Sequence, residues 1–188
     1  MAEDWPKIVN RRTTPVSPWM RLIERSVQFT PDADSQLYHA VDQQDYIAIV
    51  ARTPNGLIPV VRQYRPALER HTWEFPAGLV ETGEEPSDCC RRELTEETGL
   101  IARTIHPLGT YAPCTARLSN SVHSFFVECE PQRGDAPHEP GIELKLATAG
   151  ELGDLIRSGG FVLQLHIGAL MLAVMYGHLD ATAFSNPR

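Results

Sequence analysis

The sequence predicts a mixed fold of strands and helices, either α/β or α+β. Two segments carry this prediction. Residues 46–51 are a continuous apolar run, typical of a strand that is covered on both faces, and Pro86–Thr98 has the composition of a charged helix. Pro86 suits the first helical turn, and Gly99 suits the cap at the other end. A chain of 188 residues predicts one domain with a small appendage.

An N-terminal β arm is expected over residues 1–43, ahead of a main domain over residues 44–188. The arm should consist of an irregular, proline-punctuated lead over residues 1–20, a strand over 20–30, a turn, and a partner strand over 35–41. The two strands would form a hairpin. We expect this arm to serve substrate binding or dimerisation.

The main domain continues with recognisable turns, strands and helices. Asn55-Gly56 is a tight-turn signal, since this pair supplies the positive φ angles that such turns need. Further elements are expected as a returning strand over 57–62, a strand over 122–129, a short helix over 149–158 and an apolar helix within 161–176. Gln164 and His166 interrupt the apolar stretch, which favours a buried helix over a membrane span.

Composition excludes some classes of function. The chain has 17 Lys and Arg against 24 Asp and Glu, a net charge of −7, whereas a nonspecific nucleic-acid binder needs a basic surface. A small anionic substrate remains compatible, because local charge can oppose the net charge. None of the four cysteines forms a CxxC pair and no secretory signal is recognised, so a reducing, cytoplasmic location is expected.

Three glutamates of the predicted helix share one face. Glu93 and Glu97 are spaced i, i+4, and Glu93 and Glu96 are spaced i, i+3. Like charges at these spacings destabilise a helix unless a positive group lies among them. A hard divalent cation, Mg²⁺ or Mn²⁺, is one such group. The alternative is a solvated acidic face that Arg91 and Arg92 neutralise.

A longer pattern favours the metal. Gly78, five residues, Glu84, seven residues and then Arg-Glu-Leu-Thr-Glu-Glu-Thr-Gly-Leu over residues 92–100 fill every fixed position of a known signature. In this the chain resembles the Nudix hydrolases. The resemblance implies an α/β fold, an α/β/α sandwich with a mixed sheet, and Mg²⁺-dependent hydrolysis of a nucleoside diphosphate linked to another moiety.

The resemblance also implies roles for individual residues. The carbonyl of Ala77, Glu93 and Glu97 would be metal ligands, and Glu96 would be a ligand or a support for a metal-bound water; Glu96 and Glu97 would be catalytic. Arg92 and Glu84 would form an ion pair that fixes the loop against the helix, with Gly78 and Gly99 as backbone positions. Bound Mg²⁺ would neutralise phosphoryl oxygens and orient water for in-line attack.

Segments on either side of the signature narrow the substrate. Residues 61–66, Val-Arg-Gln-Tyr-Arg-Pro, and 73–79 resemble the ADP-ribose pyrophosphatase branch. By that resemblance Arg65, supported by Arg62, would contact phosphate; the alternative is a surface arginine at a strand end. A guanidinium suits bidentate phosphate binding. Arg117 stands where the branch usually has Pro-Gly, and its charge would favour another nucleoside diphosphate sugar.

The resemblance leaves the general base and the base-stacking residue open. Glu139 is the first candidate for the base, Glu143 the second and Glu96 the third. Trp19 would stack on adenine or pack in an interface, because members of this branch are commonly homodimers with exchanged N-terminal portions.

The function expected from these residues is hydrolysis of ADP-ribose or a related sugar nucleotide to a nucleoside monophosphate and a sugar phosphate. Alternatives are GDP-mannose, a UDP-sugar or a damaged nucleotide as substrate, and a non-catalytic nucleotide sensor. The partners expected are a small nucleotide sugar and a second copy of the chain, with no nucleic acid and no membrane.

Overall fold

A computed structural model describes residues 5–131 and 140–184. The chain forms two compact units. We call the first, formed by Met1–Asp45 and Ala112–Ser121, the N-terminal unit. We call the second, formed by Tyr46–Tyr111 and Val122–Arg188, the core unit.

The N-terminal unit contains a three-stranded antiparallel sheet in the order β1-β2-β3. Its strands are β1 (Lys7–Ser17), β2 (Met20–Gln28) and β3 (Gln36–Gln43). The predicted hairpin of β2 and β3 is confirmed. The prediction of an irregular lead is wrong for Lys7–Ser17, because these residues form β1 and pair with β2, with Thr13 opposite Ile23. Pro15 lies beside an irregularity in the register, where a residue without an N–H is tolerated.

The second segment of the N-terminal unit is attached to the end of β3. The Val41 N–H donates to the Arg117 carbonyl at 2.7 Å, and the Ser119 N–H donates to the Val41 carbonyl at 3.0 Å. The Asn120 side-chain amide donates to the Gln44 carbonyl at 3.1 Å. The predicted substrate-binding loop at Arg117 therefore belongs to the same unit as Trp19.

The described residues of the core unit form two sheets and three α-helices. The strands are β4 (Tyr46–Arg52), β5 (Ile58–Arg65), β6 (Arg70–Glu74), β7 (Ala77–Leu79), β8 (Ala102–Tyr111), β9 (Val122–Cys129) and β10 (Glu143–Ala147). The helices are α1 (Pro86–Thr98), α2 (Ala149–Arg157) and α3 (Gln164–Met175), followed by a 3₁₀ turn, Ala181–Phe184. One sheet has the order β7-β4-β9-β8, and the other has the order β10-β5-β6.

The four-stranded sheet of the core unit is mixed and carries helices on both faces. Strands β4 and β9 are parallel, and the other pairs are antiparallel. Side chains of β4 alternate between two hydrophobic clusters. Ile47 and Ile49 pack with Leu94 of α1, whereas Ala48 and Val50 pack with α3. The predicted strand covered on both faces is confirmed, and so is the α/β/α sandwich with its mixed sheet.

The sequence located α1 and β9 with the bounds that the structure has, and it located β4, β5, α2 and α3 to within a few residues. It missed β8. This strand contains Pro107 and Gly109, both turn signals, and its register with β9 shifts between those two residues. The irregularity lets a proline and a glycine occupy a paired strand.

Candidate active site

Helix α1 presents its carboxylates on a frame of buried residues. Cys89, Cys90 and Leu94 anchor the helix in the core. Gly99 ends the helix in the left-handed conformation, at φ 66°, and its N–H donates to the Thr95 carbonyl. Glycine adopts this conformation without strain. The helix is thereby fixed at both its core face and its C-terminal end.

Arg92 organises the acidic side chains around it. Its Nε and Nη2 donate to Glu84 Oε1 and Oε2, both at 2.9 Å, which is the ion pair expected between loop and helix. Nη1 donates to Glu93 Oε1 at 2.7 Å and to Glu96 Oε2 at 3.2 Å. The hydrogen bonds from Arg92, followed by one from the Glu81 N–H, lower the pKa of Glu84 to about 2. Glu84 is therefore ionised at neutral pH.

Glu93 lies against the backbone of β7 at Gly78. A Cβ atom placed on Gly78 would be 1.9 Å from Glu93 Oε1 and 2.0 Å from its Cδ. Only a glycine leaves room for this carboxylate. The close approach explains in physical terms why the signature begins with glycine, since the Glu93 carboxylate occupies the space that a Cβ at residue 78 would need.

Glu97 is hydrogen-bonded to the same strand, β7. The Ala77 N–H donates to Glu97 Oε2 at 3.0 Å, and the Glu97 residue is only 4% exposed. A buried carboxylate needs such partners, because burying an unpaired charge is costly. Two carboxylates of α1 are thus held against residues 77 and 78, while Glu96 is about half exposed.

The sequence analysis missed Glu74, which holds Arg65. Arg65 Nε and Nη2 donate to Glu74 Oε1 and Oε2 at 2.9 and 2.5 Å, and Thr72 Oγ1 donates to Glu74 Oε1 at 2.6 Å. Burial raises the pKa of Glu74, but the hydrogen bonds from Arg65 and Thr72 and the charge of Arg65 outweigh burial, so the pKa lies below its ordinary value. Arg65 is held by a charged, buried partner.

Two other predicted residues form a separate pair in the core unit. Arg62 Nη1 donates to Glu143 Oε2 at 3.0 Å across β5 and β10. Both side chains are substantially exposed. Glu139 lies outside the described residues. Glu143 is therefore engaged in an ion pair with Arg62 rather than with a residue of the signature.

Trp19 and Arg117 are both exposed in the N-terminal unit. The Trp19 residue is 67% exposed and lines an open cavity of about 320 Å³. Met20, Gln43 and an ion pair between Arg21 and Asp42 border the same cavity. A flat aromatic ring beside a polar wall suits a planar, polar ligand.

The oxygen donors of this region fit a hard divalent cation. The fixed positions of the signature hold four glutamates and one arginine, so three negative charges are in excess among them. Carboxylate and backbone carbonyl oxygens are ligands that Mg²⁺ and Mn²⁺ prefer. Across residues 5–131 and 140–184, no three His, Cys, Asp or Glu side chains already stand together as a metal site. Arg92 instead contacts both Glu93 and Glu96.

Fold and site together define a class of protein: α/β/α domains in which a glycine-containing loop and a short acidic helix form one unit. The chain belongs to the NUDIX family, since the model of the NUDIX domain matches residues 42–152. The resemblance stated from the signature is confirmed.

Two curated relatives are similar to this chain in sequence. An ADP-ribose pyrophosphatase of Bacillus subtilis (strain 168) is 35% identical over 98 residues, which cover 52% of this chain and 53% of that protein. An ADP-ribose pyrophosphatase of Mycobacterium tuberculosis (strain ATCC 25618 / H37Rv) is 35% identical over 146 residues, covering 76% of this chain and 69% of that protein. The chain therefore spans about half of the first relative and about two thirds of the second.

A solved structure described as an ADP compounds hydrolase shares the fold. Its TM-score is 0.78 at 18% sequence identity, and the match covers 94% of this chain and 96% of that one. Separately, none of the helices within the described parts of the chain has the length and apolar character needed to cross a bilayer.

Proposed function

We propose that this protein hydrolyses the pyrophosphate bond of ADP-ribose or a related nucleoside diphosphate sugar, with Mg²⁺ or Mn²⁺ as cofactor. The products are a nucleoside monophosphate and a sugar phosphate. The observation that carries the proposal is the seating of Glu93 and Glu97 against Gly78 and Ala77. The names of the two curated relatives support the choice of substrate.

The residues that would hold the cation are Glu93, Glu96, Glu97 and the carbonyl of Ala77. A divalent cation there supplies neutralisation of the diphosphate charge and a lowered pKa of the attacking water. Glu84 holds Arg92 by two hydrogen bonds, so Arg92 keeps the loop next to the helix.

Arg65 is proposed to bind a phosphate of the substrate. Its Nε and Nη2 are occupied by Glu74, and Nη1 has no hydrogen-bond partner among the described residues. The Arg65 side chain is 40% exposed, so a phosphate in solution can reach the guanidinium. Held by its carboxylate, the guanidinium is oriented before a substrate arrives, which lowers the entropy lost on binding. Arg62 is a weaker candidate, because its partner Glu143 is exposed and does not fix the guanidinium as the buried Glu74 fixes that of Arg65.

Three glutamates remain candidates for the general base that activates water. Glu139 is the first, and Glu143 is the second despite its ion pair with Arg62. Comparing the pH–rate profiles of Glu139→Gln and Glu143→Gln decides between them, because loss of the base removes the acidic limb of the profile. Full activity in both variants would assign the role to Glu96.

The N-terminal unit is proposed to bind the base of the nucleotide and to form a homodimer. The exposed ring of Trp19 beside an open cavity supports stacking on a base, worth about 1–3 kcal/mol. Other exposed apolar side chains on the unit, namely Ile8, Val9, Val16 and Leu37, support an interface with a second copy. Arg117 is a candidate for contact with the substrate.

The test is a panel of nucleoside diphosphate sugars assayed with and without Mg²⁺, with the products identified. We expect AMP and ribose 5-phosphate from ADP-ribose, and no reaction in EDTA. Faster hydrolysis of GDP-mannose or a UDP-sugar would change the substrate and keep the reaction. Binding of these compounds without hydrolysis of any of them would indicate a nucleotide sensor instead.

A further inference from the structure

One histidine of helix α3 is buried in the core and contacts the segment that precedes Ala77 and Gly78. His166 is 1% exposed, and its Nδ1 accepts a hydrogen bond from the Phe75 N–H at 3.1 Å. Because Nδ1 is an acceptor, the imidazole proton is on Nε2. Nε2 is buried and has no hydrogen-bond partner among the described residues. The signature and the proposed reaction give this histidine no role.

The segment that His166 contacts, residues 74–77, ends at Ala77, whose carbonyl is a proposed metal ligand. Each of its residues is held by a different element of the core unit. Glu74 is held by Arg65 of β5, and the Phe75 N–H by His166 of α3. The Pro76 carbonyl accepts from the Ile49 N–H of β4 at 2.9 Å, and the Ala77 N–H donates to Glu97 of α1. Each of four consecutive residues is thus hydrogen-bonded to a different element of the core unit.

Stability alone does not account for a histidine at this place. Pairing the Phe75 N–H removes the penalty for one buried donor, but the unpaired Nε2–H of His166 creates another of similar size. The two contributions nearly cancel. What the histidine adds is directional: a hydrogen bond fixes the position of the Phe75 backbone, two residues before Ala77, whereas apolar packing is non-directional.

We propose that His166 is a positioning residue for the metal site, which holds residues 75–77 so that the Ala77 carbonyl and Glu97 can bind a divalent cation together. The inference rests on the proposed function for the identity of the cation ligands. It adds a contribution of α3 to a site that the signature assigns to the loop and to α1 alone.

The test measures binding of Mn²⁺ by isothermal titration calorimetry without substrate, for three variants of His166. Mutating a residue that orients metal ligands from the outer shell typically lowers metal affinity by about 10–100-fold. We expect His166→Leu to weaken Mn²⁺ binding by about 10-fold or more and to speed hydrogen exchange of the Phe75 amide. In His166→Asn the side-chain oxygen replaces Nδ1, so binding should stay within about threefold of the parent value.

His166→Gln separates the hydrogen bond from folding. Its side-chain oxygen lies at the position of Nε2 rather than Nδ1, so Gln should bind Mn²⁺ more weakly than Asn even if the Leu variant does not fold. Leu170→Ala is the matched control, because it removes a buried side chain one turn further along α3. It should lower the Tm and leave Mn²⁺ affinity unchanged.

Equal Mn²⁺ affinity in the Gln and Asn variants, or an equal loss in Leu170→Ala, would overturn the inference. These outcomes differ from a failure of the proposed function. Should no diphosphate be hydrolysed while Mn²⁺ binding still follows the acceptor at residue 166, the positioning role stands and the reaction is wrong. Should the parent protein bind no Mn²⁺, both fail.

Discussion

Replacing Gly78 by alanine should lower kcat strongly with little loss of stability. The new Cβ would lie 1.9 Å from Glu93 Oε1, so the carboxylate must move by more than 1 Å to reach van der Waals distance. The Glu93 side chain is flexible at its far end, and Gly78 is not among the glycines with positive φ. The backbone can therefore accept alanine, and the free energy of unfolding should change by about 1 kcal/mol or less.

The effect on turnover should be much larger. A misplacement of about 1 Å in a catalytic group can cost on the order of 100-fold in rate. We therefore expect kcat of Gly78→Ala to fall by about 100-fold or more at saturating Mg²⁺. The measurements are AMP release from ADP-ribose for kcat and urea unfolding for stability.

Gly56→Ala is the matched control with the opposite expectation. Gly56 has φ 79° in the turn between β4 and β5, and a Cβ placed there has no neighbour within 4 Å. The left-handed conformation costs alanine about 1–2 kcal/mol, whereas nothing in the signature is disturbed. This variant should lose stability and keep its kcat. A Gly78→Ala enzyme with more than half of the parent kcat would show that the contact between Glu93 and Gly78 is not needed for catalysis.

Three further predictions concern single side chains. Glu97→Gln should lower kcat at least about 100-fold and leave the circular dichroism spectrum unchanged, because the amide still accepts from Ala77 but loses the charge; near-parental turnover would remove Glu97 from the ligands. Glu74→Gln should raise KM about 10-fold and lower stability by about 2 kcal/mol, since Arg65 loses its charged partner; an unchanged KM would argue against phosphate binding by Arg65. Burial lowers the pKa of His166 to about 4; the charge of Glu74 opposes this shift, and the charge of Arg65 adds to it. Because the unfolded chain takes up this proton at a higher pH than the folded protein, the free energy of unfolding falls by at most about 3 kcal/mol between about pH 6.5 and about pH 4. In His166→Asn the free energy of unfolding, measured with urea, should depend less on pH between pH 7 and 4.5. The same pH dependence in variant and parent would show that His166 is not its source.

Local patterns explain what the sequence could predict. Helix α1 has a proline in its first turn and a glycine cap, so its bounds follow from neighbours in the chain. The Arg92–Glu84 pair followed from the resemblance that the signature carries. Residues 46–51 of strand β4 are apolar because helices cover both faces of the strand. Such features need no knowledge of distant residues.

Pairing that the composition of a segment does not reveal explains what the sequence could not predict. Strand β1 is mostly exposed and has no apolar alternation, so only its register with β2 reveals it. The buried partner of Arg65 depends on the pairing of β5 with β6. His166 reaches Phe75 across 91 residues, and its place within an apolar helix indicates only core packing. None of these contacts leaves a local signal.

The most direct test of the account is a crystal structure with Mn²⁺ and a non-hydrolysable ADP-ribose analogue, recorded at the manganese absorption edge. We predict an anomalous peak within coordination distance of Glu93, Glu97 and the Ala77 carbonyl, with the diphosphate beside it. A well-occupied analogue whose diphosphate lies elsewhere, with no anomalous peak at these residues, would contradict the account.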